Sequence, residues 1–431
     1  MLKLIKNSKV IDPKNNINEF KDILIENSKI KAVEKPGTFD DLKIQEIIDA
    51  KGSYTTPGFI DIHVHFREPG FEWKETIKTG LKAAVAGGFT AVCPMPNTEP
   101  VIDNKELAEF INKKAKEANL AKLYPIASIT KGLKGKELSP FSQLNDAGCI
   151  AFSDDGLPIN SSNIMRKALE WLKMFDGVLT LHQEDLSLTK NASMNESSLA
   201  FKLGLSGLPT LAEDVMTARD IEIARITNSR IHICHIASKR SVLLVKRAKE
   251  DGIKVTAEVT PHHLTLSEDN LINFDTNYKM SPPLRSKDDI QGLIDGLNSG
   301  IIDCIATDHA PHDKDTKELE FEKASFGITG LQTAFSNSLQ LVTENKISLE
   351  RLVESLTSGT LNCFNLPTGG CLTPGTPADI TIFNTEKEWE FNSETNFSKS
   401  SNSPFYNKKL KGVIEYTIVD GEIKFNNGKI I

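Results

Sequence analysis

Apolar and polar positions follow two rhythms along the 431-residue chain. Near the start, LKLIKNSKVI, DILIENSKIKAVE and QEIIDA carry β-branched residues interrupted by Asn and Lys, the pattern of short strands and turns. ADITIF, GVIEYTIVD and GEIKFNNGKII repeat that pattern at the far end. Two strand-rich ends around one middle predict a small β-domain assembled from both. Between positions 386 and 408 the chain turns polar (FNSETNFSKSSNSPFYN) with no helical period, which predicts a long loop.

The middle alternates short apolar runs with helical patterns. The expected strands are Phe59–Ile62, Thr90–Cys93, Leu123–Ser128, Ile150–Phe152, Val178–Leu181, Arg230–Cys234, Lys254–Glu258 and Ile302–Ala306. Helical spacing puts Trp73, Ile77, Leu81, Ala84 and Val85 on one face of a helix over Glu72–Ala86, closed by Gly87-Gly88. Asp103 is placed to cap a second helix with Leu107, Phe110 and Ile111 inward. Leu169, Leu172 and Phe175 line another, and Ile290, Leu293, Ile294 and Leu297 a fourth. Eight βα units predict an α/β fold, a (β/α)8 TIM-type barrel, because parallel strands need helical crossovers. The expected domains are 1–54 and 373–431, two parts of one β-sandwich, around a barrel at 55–372. An open doubly wound sheet would instead want a Gly-rich phosphate loop after its first strand, and GFIDIHVHFREPG is not one.

Charge narrows the classes. Fifty-one basic against 58 acidic residues give a net charge of −7, no electrostatic footprint for nucleic acid. No apolar stretch approaches the ~18 residues of a membrane span, and MLKLIKNSKVIDP lacks the apolar core of a secretory signal. The six cysteines form no CxxC pair, and four lie in apolar runs, as expected of free buried thiols in a reducing compartment. The expectation is a cytoplasmic enzyme.

The polar residues gather where the strands end: His63 and His65, Asn97, Asp154 and Asp155, His182, His235, then Asp308, His309 and His312. Barrel active sites are built at those ends. His63 and His65, two apart on a strand, share a face and can chelate one ion. Singly, an HxH or a strand-end histidine is commonly chance or core; convergence of His and Asp residues from five strands argues for a site. Imidazole and carboxylate without thiolate suit zinc or a similar divalent ion. Asp154 or Asp155 would bridge two ions, and alternation does not choose between them. Such an ion lowers the pKa of a bound water towards ~7 and polarises a carbonyl, which points to hydrolysis; Asp308 can bind metal and carry the proton. Arg67, on the face of His65, offers a fork for a carboxylate, where a plain surface Arg would form a salt bridge. His232, three residues from His235, is expected on the opposite face, packing against helices. His262 and His263 are expected to order loops.

DIHVHFREPG (61–70), PMPNT (94–98), AFSDDG (151–156), HICHIAS (232–238), TPHHL (260–264) and ATDHAPH (306–312) closely resemble the bacterial class I dihydroorotases of the cyclic amidohydrolase (metallo-dependent hydrolase) superfamily. MNE (194–196), GLPTLAEDVMTARDIEIA (207–224), FGITGLQTAF (326–335) and KGVIEYTIVDGEIKF extend the resemblance over essentially the whole chain. The resemblance implies one or two zinc ions per subunit, His63 and His65 on one, His182 and His235 on the second. Asp155 would bridge them in place of the carboxylated lysine of hydantoinases, and Asp308 would be ligand and catalytic acid/base. Arg67 and Asn97 would hold a substrate carboxylate, with His312 also on substrate and the backbone of Phe326 and Gly327 against the pyrimidine ring.

The implied reaction is reversible hydrolysis of (S)-dihydroorotate to N-carbamoyl-L-aspartate in de novo pyrimidine (UMP) synthesis. The implied partners are that small-molecule substrate, a second copy of the chain in a homodimer, and aspartate carbamoyltransferase; no nucleic acid or membrane is implied. In the family's KMNPPLR this chain carries Ser281 for Asn, a shorter reach to substrate that predicts weaker binding or a compensating water. Gln332 stands where Glu is usual. The alternatives are a dihydropyrimidinase, hydantoinase or allantoinase, whose substrates lack the ring carboxylate, or an inactive scaffold for aspartate carbamoyltransferase. Such scaffolds lose metal ligands, and this chain keeps them.

Overall fold

The computed structural model describes residues 1–431 as a mixed α/β fold. The apolar runs of the middle are short parallel strands: Phe59–Val64, Phe89–Pro94, Lys122–Leu123 continuing as Ile126–Ala127, Ala151–Phe152, Val178–Leu181, Arg230–Ile233, Val255–Val259 and Cys304–Ile305. Each pairs in parallel with its neighbour in chain order, apart from the interruption at Tyr124-Pro125, where proline offers no N–H. A parallel bridge from Val64 to His309 links the end of the series back to its start. Most residues of these strands are buried, as expected of parallel strands covered on both faces.

The helices between them begin where side chains can satisfy free N–H groups. Thr76 caps Ile77–Ala86 in a capping box with Thr79, so the first helix starts five residues after Glu72, and Trp73 lies outside it, 59% exposed. Asn104, not Asp103, caps Lys105–Ala118 by accepting from Leu107 N; Asp103 accepts from Gly132 N instead. Ser286 caps Lys287–Asn298, which buries Leu293, Ile294 and Leu297.

Both ends of the chain enter one nine-stranded sheet. Its order is Lys429–Ile430, Glu422–Asn426, Lys408–Val419, Ile380–Phe391, Tyr54–Pro57, Leu2–Asp12, Ile17–Glu26 and Lys29–Glu34, with Glu46–Asp49 also beside Leu2–Asp12. Tyr54–Pro57 splices the halves, running parallel to the first strand and antiparallel to Ile380–Phe391. The polar stretch is shorter than its composition suggests. A bulge between Asn384 and Glu388 lets the strand resume, and Glu388–Phe391 pair with Lys408–Lys411. Inward residues of the sheet, among them Ile5, Ile23, Ile25, Ile380 and Ile418, share one core. Phe383 crosses to the parallel strands, its ring centroid 4.4 Å from Phe335 and 6.1 Å from Phe59. All six cysteines are free and buried. No helix is long and apolar enough to cross a membrane.

Candidate active site

The strand FIDIHV sets the site. Its Asp61 carboxylate accepts from His63 N and Thr307 N, both at 3.1 Å, tying the first strand to the segment after the last. Burial pushes this carboxyl up to about 7. The His63 and His65 rings lie 5.3 Å apart between centroids and face the same two carboxylates. His63 Nε2 is 3.5 Å from Asp155 and 3.6 Å from Asp308; His65 Nε2 is 3.4 Å from Asp155 and 2.9 Å from Asp308. His235 Nε2 stands 3.6 Å from Asp155. His182 is at the margin, 3.0 Å from His235, 3.9 Å from Asp155, and 3.0 Å from the Glu184 carboxylate at the cavity wall.

These residues fit a divalent cation. His63, Asp155 and His235 bring donor atoms within 4.8 Å of one another, and so do His63, His65 and Asp308. His63 Nε2, Asp155 Oδ1 and His235 Nδ1 are buried with no hydrogen-bond partner, although buried polar atoms are nearly always paired. Two of the candidates hold strained backbone, His235 at φ +30° and Asp308 at φ +46°, the kind of cost that concentrates at functional sites.

Between the two aspartates left open by alternation, Asp155 joins the cluster. Asp154 turns away and accepts from Ile129 N at 2.8 Å, Thr130 N at 3.0 Å and the Thr130 hydroxyl.

His232 does not pack against helices. It lies inside, its Nε2 3.1 Å from Glu258 and its Nδ1 2.8 Å from Thr256. Strand alternation fails here because Arg230–Ile233 has ended before His235, whose left-handed backbone turns it inward too. Glu258 itself was missed. Fully buried, it accepts His63 Nδ1–H at 2.5 Å and His235 N at 3.2 Å. His263 orders a loop as expected, its ring lying between Thr260 and the Pro282 carbonyl, each at 2.8 Å.

A cavity of about 490 Å³ opens beside the cluster, walled by Arg67, Asn97, Ser281, Asp308, Phe326 and Gly327 among others. Asn97 also steadies His65, accepting its Nδ1–H at 3.0 Å. Arg67 donates through Nε to Pro311 O at 3.2 Å, and burial, opposed by Asp308, draws its guanidinium down to about 10. His312 lies half-buried behind the wall residues Arg67 and Gly327. It sits against Arg67, with Nε2 3.4 Å from Nη2.

A mixed α/β fold that gathers imidazoles and carboxylates at the ends of parallel strands, beside a cavity with a half-buried arginine, is the frame of a cyclic amide hydrolase. Residues 52–241 match the family model "Dihydro-orotase-like". The dihydroorotase of Syntrophotalea carbinolica is 47% identical over 98% of this chain and 98% of its own length. That of Syntrophus aciditrophicus is 44% identical over 98% and 99%. Among solved structures, the L-hydantoinase (dihydropyrimidinase) of Arthrobacter aurescens superposes with a TM-score of 0.89 over 100% of this chain and 97% of that one, at 22% identity. The chain belongs to the dihydroorotase family.

Proposed function

We propose that this protein is a dihydroorotase, hydrolysing (S)-dihydroorotate reversibly to N-carbamoyl-L-aspartate in de novo pyrimidine synthesis. The observation that carries the substrate choice is Arg67, a half-buried guanidinium on the wall of a cavity that also exposes the candidate acid/base. A ring amide without a carboxylate would leave that charge unmatched, at a cost dihydroorotate removes.

Zinc, one or two ions per subunit, would be held by His63, His65, Asp155, His182, His235 and Asp308, and when bound it supplies an acidified water and a polarised amide carbonyl. Arg67 and Asn97 hold the carboxylate and so fix which face of the ring meets the cluster. His312, against Arg67, meets the substrate beside them. Ser281 gives one hydrogen bond, and the backbone of Phe326 and Gly327 lies against the ring. The Asp308 carboxylate lies 2.9 Å from His65 Nε2 and 3.6 Å from His63 Nε2, where a cation held between them would keep it charged. Ionised at neutral pH, it accepts the proton of the nucleophile and returns it to the leaving nitrogen.

We read the eight parallel strands as a (β/α)8 barrel at 55–372 and the terminal sheet, 1–54 with 373–431, as a small β-sandwich. The Val64–His309 bridge supports closure of the first, and the Lys29–Pro377 bridge, which brings the two halves of the sheet together again, supports the second. Tyr54–Pro57 lies across the first boundary. We place the enzyme in the cytoplasm as a homodimer, with aspartate carbamoyltransferase as a candidate partner.

The test is ring opening by the purified, zinc-loaded protein on dihydroorotate, dihydrouracil, hydantoin and allantoin side by side. Selective turnover of dihydroorotate is expected. Preference for a substrate without the carboxylate would overturn the assignment. Inertness toward all four, alone and with aspartate carbamoyltransferase added, would make the protein a scaffold.

A further inference from the structure

The polar stretch after Phe391 finds its place here. From Ser398 to Asn402 it lies across the strand ends and is tied down at two points. The Ser398 hydroxyl and Lys399 N both donate to Glu75, the latter at 3.2 Å, and Glu75 in turn faces His309 Nε2 at 3.3 Å. At the other point Asn402, 4% exposed, uses its whole amide: Nδ2 donates to Ala310 O at 2.9 Å and Gly327 O at 3.1 Å, and Oδ1 accepts from His312 N at 3.0 Å. Gln332 secures the approach. Its Nε2 donates to Thr395 O at 2.9 Å and its Oε1 accepts from Phe397 N at 2.7 Å, a pair of opposite roles that a glutamate at this position would not fill.

Two loops therefore meet through one side chain. The loop of residues 310–312 backs Arg67, and that of 326–327 walls the cavity. They touch directly as well: a Cβ on Gly327, at φ +144°, would fall 2.8 Å from Ala310 O and 2.8 Å from His312 Cδ2. Lys279 and Lys317 hold the 326–327 loop from another side, Gly327 N donating to Lys279 O at 3.0 Å and Lys317 Nζ to Gly327 O at 3.2 Å, while Ala310 N donates to Ile328 O at 2.9 Å just beyond it.

We infer that Asn402 is a positioning residue for substrate binding, locking the His312 and Gly327 loops in the register that presents Arg67 and the ring-contacting backbone, a role that rests on the substrate assigned above. Two buried backbone groups, Ala310 O and His312 N, lose their side-chain partner on truncation, whereas Gly327 O keeps Lys317 Nζ at 3.2 Å. The backbone carbonyl of Asn402 accepts from Thr329 N at 2.9 Å whatever the side chain, so the path of the segment survives substitution.

The experiment compares full-length zinc-loaded wild type with Asn402→Ala and Asn402→Asp, the latter keeping the acceptor for His312 N but losing both donors. KM and kcat for dihydroorotate, zinc content, thermal midpoint and hydrogen exchange at the His312 amide are measured together. In Asn402→Ala, KM should rise at least tenfold with kcat within about threefold and zinc content unchanged, and the His312 amide should exchange at least tenfold faster. Asn402→Asp should raise KM while leaving that amide protected. An unchanged KM in folded Asn402→Ala overturns the role. So does a parallel loss of kcat, zinc and KM, or failure of both variants to fold, any of which makes Asn402 a stability element only. If wild type leaves dihydroorotate untouched, the substrate assignment fails, and the exchange rates alone still decide whether Asn402 holds the loop.

Discussion

Glu258 accepts the Nδ1–H of His63 at 2.5 Å and, through its other oxygen, faces His232 at 3.1 Å. The carboxylate fixes the His63 tautomer, leaving Nε2 aimed at Asp155 and Asp308. Carboxylates behind a ligating histidine typically contribute 10–100-fold in metal affinity. Glu258→Gln should weaken zinc binding by about that factor, with turnover recovered in excess zinc. Competition against a chelator of known affinity reads the change directly, and an unaltered affinity would reduce Glu258 to a packing role.

Asp308→Asn should lower kcat by about 10²–10⁴-fold, the usual weight of a positioned acid/base. An amide still offers one oxygen to a metal, so the far-UV spectrum should stay unchanged and most of the zinc should be retained. Near-normal turnover would move the proton transfer to another residue.

Arg67→Ala should act on the concentration requirement. With the carboxylate partner gone, KM for dihydroorotate should rise by roughly 10- to 100-fold, in line with about 1.5–3 kcal/mol for a charge-assisted contact. A KM within error of wild type would remove the clamp.

Glu213 provides a pH-dependent test away from the cavity. It accepts from Ala237 N at 3.2 Å and Ser238 N at 3.0 Å, and burial pushes its carboxyl up to about 7 despite Arg285. The folded state therefore holds this proton more tightly than the unfolded chain does. The resulting stabilisation is full below the ordinary carboxylate value of 4.5 and is lost as pH rises through about 7. Glu213→Gln keeps the acceptor and does not titrate. Between pH 5 and 8 the wild-type thermal midpoint should fall by a few degrees relative to the variant. Parallel profiles would mean that Glu213 ionises normally.

How much of this was legible in the sequence depended on whether a periodic element carried the signal. His63 and His65 were readable because a strand has period two and both sit on one. The eight strands were readable because parallel strands are apolar on both faces. Asp155 was not separable from Asp154, since both follow their strand and the backbone turn decides. Glu258 was hidden within an expected strand, KVTAE, as a lone charge with no visible partner. His232 was misplaced because alternation was carried past the strand's end into a residue at φ +30°. Trp73 was drawn into a helix by spacing alone, although the capping box at Thr76 starts it later. Asn402 had no local pattern at all; its partners, Ala310, His312 and Gly327, are 75 to 92 residues away.

The splice at Tyr54–Pro57 bears on how the molecule comes to exist. Synthesis runs from the N-terminal side, and at translation rates of about 5–20 residues per second the strand Ile380–Phe391 emerges tens of seconds after Tyr54–Pro57. Throughout that interval the first strands have an unpaired edge, which is a template for mispairing with another chain. The Asn402 bonds to Ala310, His312 and Gly327 come later still. A ribosome-bound chain can therefore carry every residue of the histidine cluster before the segment that ties the loops at its mouth has been made.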